Sequence, residues 1–285
     1  MITIAFITTM RNPANANDYK KCEELLEKTI NSVENSTSNK YKIIVVCNQL
    51  PTFPIRERVE YVLVDFPPPG KGSASNLGFS ASKYDAGTKR VVGLLYAKKY
   101  NPKFCMLLDS DDYISKHLIS TIDNIKSKVN GWIIDKGYMY QENTAQINKV
   151  ESFNQLCGSS NIIRSDLIDL TIPSYNTALT QSYIIESVQS EFFDQVICKH
   201  LTVADFFVNI NLPLNKFPIR AALWLVGTGE NRSGRTINIK SSYLTKKIIN
   251  EFNIPINRVE YYLQVLKLSV FKINYLLNKV RNKYR

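Results

Sequence analysis

Phe104-Cys-Met-Leu-Leu-Asp109-Ser-Asp111-Asp112-Tyr-Ile114 is a short apolar run that stops in three carboxylates within four positions. Phe104–Leu108 has the length and composition of a strand covered on both faces, and a helical pattern, His117–Val129, follows the acids. In open α/β sheets ligands collect at the carboxyl ends of the strands, which is where these acids fall. Asp109 and Asp111, two apart, can turn to one side and share a hard cation that relieves their mutual repulsion. The same residues would also serve as a plain capping turn, because Asp and Ser are common before a helix.

Working outward, strand-like and helix-like segments alternate on the N-terminal side of this stretch. Ile2–Thr8 reads as a strand, Tyr19–Val33 carries Leu25, Leu26, Ile30 and Val33 at helical spacing, and Tyr41–Cys47 is a continuous apolar run. Val59–Val64 is another strand, a loop rich in Pro, Gly and Ser runs from Pro67 to Ser75, and a helix covers about Lys89–Tyr100. That order predicts an α/β fold with a mostly parallel sheet flanked by helices.

Beyond the acids the pattern is less regular. Trp132–Ile134, Gly137–Tyr140 and Ser159–Ile163 read as strands, Ser190–Thr202 as a helix and Phe206–Leu212 as a strand ending at Pro213. From Asn257 onward Val259, Tyr262, Leu263, Leu266, Val270, Ile273 and Leu277 hold one face of a long helix.

With 285 residues, 44% hydrophobic and 21% charged, the chain can bury a large core, which excludes disorder. The net charge of +11 asks for an anionic partner. Five cysteines without a C-x-x-C pair support neither a zinc ribbon nor a disulfide framework, and reduced thiols suit a cytoplasmic chain. Met1-Ile-Thr-Ile-Ala-Phe-Ile reads as a first strand rather than a signal peptide, and no apolar run reaches the roughly 18 residues of a membrane span. Phosphate-loop, G-x-G-x-x-G, H-E-x-x-H and G-x-S-x-G patterns are all missing or broken.

Leu108-Asp-Ser-Asp-Asp-Tyr-Ile resembles the L-D-x-D-D signature of GT-A fold nucleotide-sugar glycosyltransferases, above all the large inverting family of bacterial cell-surface glycan transferases. Thr29-Ile-Asn-Ser-Val followed by Tyr41-Lys-Ile-Ile-Val-Val-Cys-Asn48 is similar to that family's opening, and the resemblance spans roughly residues 1–235. It departs at Asn48, where many members carry an Asp.

The resemblance implies transfer of a sugar from a nucleotide diphosphate donor, UDP first, to a surface-glycan or lipid-linked acceptor with inversion. Mn2+ or Mg2+ would sit on Asp109 and Asp111 with Asp112 in support, and would act as a Lewis acid on the leaving diphosphate. Thr8, Thr9, Arg11 and Asn48 would line the nucleotide pocket; Asp85, Lys89, Arg90 and Ser110 would contact the donor. For Lys89 and Arg90 the alternative is a solvated helix face.

Asp194, with Glu191 second, would take the acceptor's proton, although acids in a first helical turn also complement its dipole. Gly158 and Ser159 would border the acceptor site. Glu230, Asn231 and Arg232, in the loop Gly227–Gly234, would close over the diphosphate, unless this is an ordinary surface loop.

Two rivals remain. A sugar-nucleotide pyrophosphorylase would carry a glycine-rich loop after the first strand, and Thr8-Thr-Met-Arg-Asn-Pro lacks it. A basic nucleic-acid-binding protein would interleave basic and aromatic residues on one surface, and the acids at 109–112 argue against it.

The expected layout is a catalytic body over 1–245, with a nucleotide half of about 1–115 and an acceptor half of about 116–245, then a basic tail over 246–285. The tail holds nine basic and two acidic residues, a net +7, leaving +4 for everything before it. Such a helix either lies on an anionic membrane, at the inner face of the cytoplasmic membrane, or packs on the body or on a second subunit as a homodimer.

Overall fold

The computed structural model describes residues 1–70, 80–176, 178–230, 235–237 and 241–283. The N-terminal half forms β1 (Ile4–Thr9), α1 (Tyr19–Glu34), β2 (Tyr41–Cys47), β3 (Val59–Leu63), α2 (Ala81–Ala97) and β4 (Phe104–Leu107). After the acids come β5 (Tyr113–Ile114), α3 (Leu118–Asn124), β6 (Gly131–Ile133), β7 (Lys136–Gln141), β8 (Gln146–Glu151) and β9 (Asn161–Arg164). The remainder supplies α4 (Gln181–Ser187), α5 (Ser190–Phe192), α6 (Val203–Asn209), β10 (Asn215–Lys216), β11 (Ala222–Val226), β12 (Ser242–Tyr243), α7 (Lys246–Phe252) and α8 (Arg258–Lys283).

The large sheet has the order β10-β6-β9-β4-β1-β2-β3. Its pairs are parallel except those of β9, which runs against both β4 and β6. This is the mostly parallel sheet flanked by helices that the alternation predicts. Alternate residues explain why β1 and β2 carry no polar face. Ile4, Phe6, Ile43 and Val45 pack with Leu26, Ile30 and Val33 of α1, while Ala5, Ile7, Ile44 and Val46 pack with Val91, Val92 and Leu95 of α2. At about 25 cal/mol per Å² of apolar surface removed from water, this two-sided burial dominates the stability of the half.

A smaller sheet, β12-β8-β7-β11-β5, is mostly antiparallel and covers a third core. Phe252 at the end of α7 and Ile254 beyond it are buried there beside Leu223, Leu225 and Tyr140.

Four local expectations change. The helix expected over about Lys89–Tyr100 starts eight residues earlier, at Ala81, and ends at Ala97. Phe206–Leu212 lies mostly in α6, because Val203, Phe206 and Phe207 bury one helical face at i, i+3, i+4 while Val208 and Ile210 stay exposed; β-branched composition yields to that burial. Ser190–Thr202 is not one α-helix: the short α5 opens into a π-helical stretch, Phe193–Cys198. The helix after the acids ends at Asn124, where Ile125 is already extended.

Candidate functional site

β1 lies between β2 and β4, and all three run parallel, so their carboxyl ends open on one edge of the sheet. The chain proceeds from β1 to β2 and β3 on one side and returns to β4 on the other, which creates a crevice at the reversal. A cavity of about 620 Å³ occupies it. Thr9 at the end of β1 and Arg11 just beyond it, Asp85 and Arg90 on α2, and Asp109, Ser110 and Asp111 after β4 all line this cavity. Gly158 and Glu230 close it from across. Two cavities of similar size, about 550 and 630 Å³, lie between the β3–α2 connection and α4 and around Trp132; neither reaches the acidic turn.

Each acid has a distinct environment. Asp109 accepts a 3.0 Å bond on Oδ1 from Arg90 Nη2, and its backbone N–H donates to Ser159 Oγ at 2.9 Å. Its other oxygen rests over Gly158, where an added Cβ would stand 2.4 Å away. Arg90 also donates to the Ile197 carbonyl at 2.8 Å, so one guanidinium ties the π-helical stretch to the acidic turn. Burial, and then the Asp109 charge, push the Asp111 carboxyl up to about 7.

Asp112 is buried and accepts from Ser159 Oγ at 2.6 Å, Cys157 Sγ at 3.0 Å and the Leu225 N–H at 3.2 Å. Burial, then Asp111 and Asp109, raise its pKa. Asp112 therefore buttresses the turn from inside the protein, and Ser159, expected near an acceptor, is a buried strut joining it to Asp109.

Among the described residues no three His, Cys, Asp or Glu side chains converge as a ready cage for a metal. The donor set nevertheless suits Mg2+ or Mn2+. Two hard carboxylates on one rim are enough for an ion that keeps its waters and takes further ligands from substrate phosphates, and a cation would offset both the burial and the Asp109 charge that raise Asp111.

Lys89 neither reaches the cavity nor faces water. Its Nζ is buried between Asp85 Oδ2 at 2.8 Å and the Met10 carbonyl at 3.1 Å. Burial lowers the Lys89 pKa and raises that of Asp85. Asn48 binds the carbonyls of Val64 and Phe66 at 3.1 and 2.9 Å and thereby positions the chain after β3. Thr8 Oγ1, Asn48 Oδ1 and Asp85 Oδ1 are buried without a hydrogen-bond partner. An unsatisfied buried polar atom costs about 1–3 kcal/mol. Of these three residues only Asp85 lines the cavity; Thr8 and Asn48, expected in the nucleotide pocket, do not reach it.

The loop after β11 is latched onto the start of α1. Arg11 pairs with Glu230 Oε2 at 2.5 Å and donates to its carbonyl at 2.8 Å; Glu230 Oε1 accepts the Asp18 N–H at 2.8 Å. Gly227 and Gly229, at φ of 77° and 80°, supply the left-handed turns that bring Glu230 there. Asn231 and Arg232 lie outside the described residues.

Asp194 and Glu191 do not line the cavity: Asp194 pairs with Lys199 at 2.6 Å, and Glu191 accepts from Gln195 at 3.0 Å. His200, at the end of the same segment, does line it. Burial lowers its pKa, with Asp109 opposing and Arg90 reinforcing. Trp224 also reaches the cavity from β11, with the Arg235 guanidinium 5.7 Å from its ring. No spacing rule marks either residue, since a single His after a helix and a Trp in a strand read equally well as core.

No family profile matches the chain, and no curated protein does. Among solved structures, a protein assigned as a nucleotide-diphospho-sugar transferase from Desulfovibrio desulfuricans G20 overlaps at 8% identity and a TM-score of 0.34, covering 80% of this chain and 83% of its own. A 4-diphosphocytidyl-2C-methyl-D-erythritol synthase from Anaerococcus prevotii DSM 20548 overlaps at 15% identity and 0.31, covering 87% and 93%. Overlaps this loose fix neither family nor activity. Among the described residues no helix is long and apolar enough to cross a membrane.

Proposed function

We propose that the chain is a nucleotide-sugar glycosyltransferase of the GT-A type, moving a sugar from a nucleotide diphosphate donor to a glycan or lipid-linked acceptor with inversion. The observation that carries this reading is the acidic turn at the carboxyl end of β4, opening with Arg11 and Arg90 into one cavity at the reversal of strand order. Asp109 and Asp111 would hold Mg2+ or Mn2+, which when bound supplies Lewis acidity to the departing diphosphate.

The protein's own residues do the rest. Arg90 and Ser159 fix the orientation of Asp109, Arg11 and Glu230 hold the post-β11 loop against the nucleotide edge, and Asp85, with one unpaired oxygen on the cavity wall, supports a polar nucleoside beside it. The acceptor's proton is assigned to His200, supported by its place on the cavity wall and by burial that keeps its imidazole neutral.

A panel of nucleotide sugars with Mn2+ tests the reading through the product released. Free nucleoside diphosphate is expected, and His200→Gln should abolish sugar transfer while donor still binds. Pyrophosphate formed from a nucleoside triphosphate and a sugar phosphate would mean a nucleotidyltransferase instead.

A further inference from the structure

α8 packs on the body through one face only. Tyr261 Oη donates to the Leu244 carbonyl at 2.5 Å, Lys272 Nζ to that of Ser241 at 2.6 Å, Ser269 Oγ meets Tyr243 Oη at 3.0 Å, and Leu268 is buried. On the opposite face Val259, Leu263, Leu266, Val270, Ile273 and Leu277 are each more than half exposed, with Tyr262 and Phe271 exposed on either flank. Their spacing is four, three, four, three, four, and the sequence carries it on at Val280.

That is a strict seven-residue repeat. A straight α-helix drifts about 20° per heptad against such a repeat, so a stripe kept in register over three heptads is shaped for a second helix winding with it. A helix lying in a lipid interface asks only for a broad apolar side and basic residues turned toward the headgroups. Here Lys272 is turned to the body instead.

We propose that this stripe is a coiled-coil seam that pairs two copies of the chain. The repeat supplies its own complement, and the flanking positions do not oppose pairing despite the basic tail. With Leu263, Val270 and Leu277 at one seam position and Val259, Leu266 and Ile273 at the other, parallel helices would bring Tyr262 near Lys267 and Ser269 near Asn274, with no like charges meeting. The inference does not depend on the proposed activity.

Sedimentation equilibrium of the full chain tests it over about 1–100 µM, which spans association free energies of about −8 to −5.5 kcal/mol. A reversible dimer is expected. Leu266→Glu with Val270→Glu should leave a folded monomer by far-UV circular dichroism, its dissociation constant raised at least about a hundredfold, while Leu266→Ile with Val270→Ile should still dimerise. A monomeric wild type, or a dimer that survives the Glu pair, overturns the proposal. So does a monomer that binds vesicles of phosphatidylglycerol and phosphatidylcholine and releases them on the Glu substitutions, because lipid would then occupy the stripe.

Discussion

Gly158→Ala puts one methyl group where the acidic turn has no room for it. The new Cβ would stand 2.4 Å from Asp109 Oδ2, 3.1 Å from its Cγ and 3.2 Å from its Oδ1, whereas ordinary contact begins near 3.4 Å. The carboxylate must retreat by about 1 Å, a displacement that costs a reaction about 10²-fold when it falls on a positioning group. In barrier terms that is about 2.7 kcal/mol. The stability cost is small by comparison, because the clashing atoms are the end of a side chain facing a cavity, and the left-handed region is not required at this glycine. Initial rates of nucleoside diphosphate release should therefore drop about 10²-fold in kcat/KM while the thermal midpoint stays near wild type. Unchanged rates would refute the placement of Asp109 at the reacting end of the cavity. A loss of activity matched by a loss of folding would refute the mechanism given for it.

The remaining predictions concern charge and packing. Asp111 titrates higher in the fold than in the unfolded chain, so its contribution to stability is fullest below its ordinary value and is lost as pH rises towards about 7. Asp111→Asn should accordingly raise the metal-free thermal midpoint at pH 8, with the gain shrinking towards pH 4, and should remove the stabilisation that Mn2+ gives the wild type. Gly93→Ala brings a Cβ to 2.4 Å from Ile7 Cγ2 and 3.2 Å from Val46 Cγ2, where α2 crosses the fully buried strands. Overpacking there should cost about 1–3 kcal/mol by urea unfolding, reduced by about 1 kcal/mol of helix propensity.

The half of the chain before the acids is legible because each element repeats one simple pattern: two-sided apolar strands and helices with one apolar face. Legibility falls where burial overrides composition, as in α6, and where backbone departs from regular geometry, as in the π-helical stretch that no residue spacing announces. In the site, Thr9, Arg11, Asp85, Arg90 and the acids at 109–111 share a cavity because strand ends gather ligand-facing residues. Lys89 and Asp112 look equally functional as letters, yet both point inward, and only tertiary partners such as Met10 and Ser159 reveal it. His200 was hidden for the opposite reason: its burial, and the Asp109 and Arg90 charges that face it from about a hundred residues away in the chain, exist only in the fold.

The central claim is that the cavity at the end of β4 binds a nucleoside diphosphate through a cation on Asp109 and Asp111. Calorimetric titration of UDP into the protein with and without Mn2+ tests it most directly, repeated on Asp111→Ala. Binding that requires Mn2+ and disappears in the variant is the predicted result. Binding that ignores both the metal and the substitution, or no binding of any nucleoside diphosphate, would contradict the account.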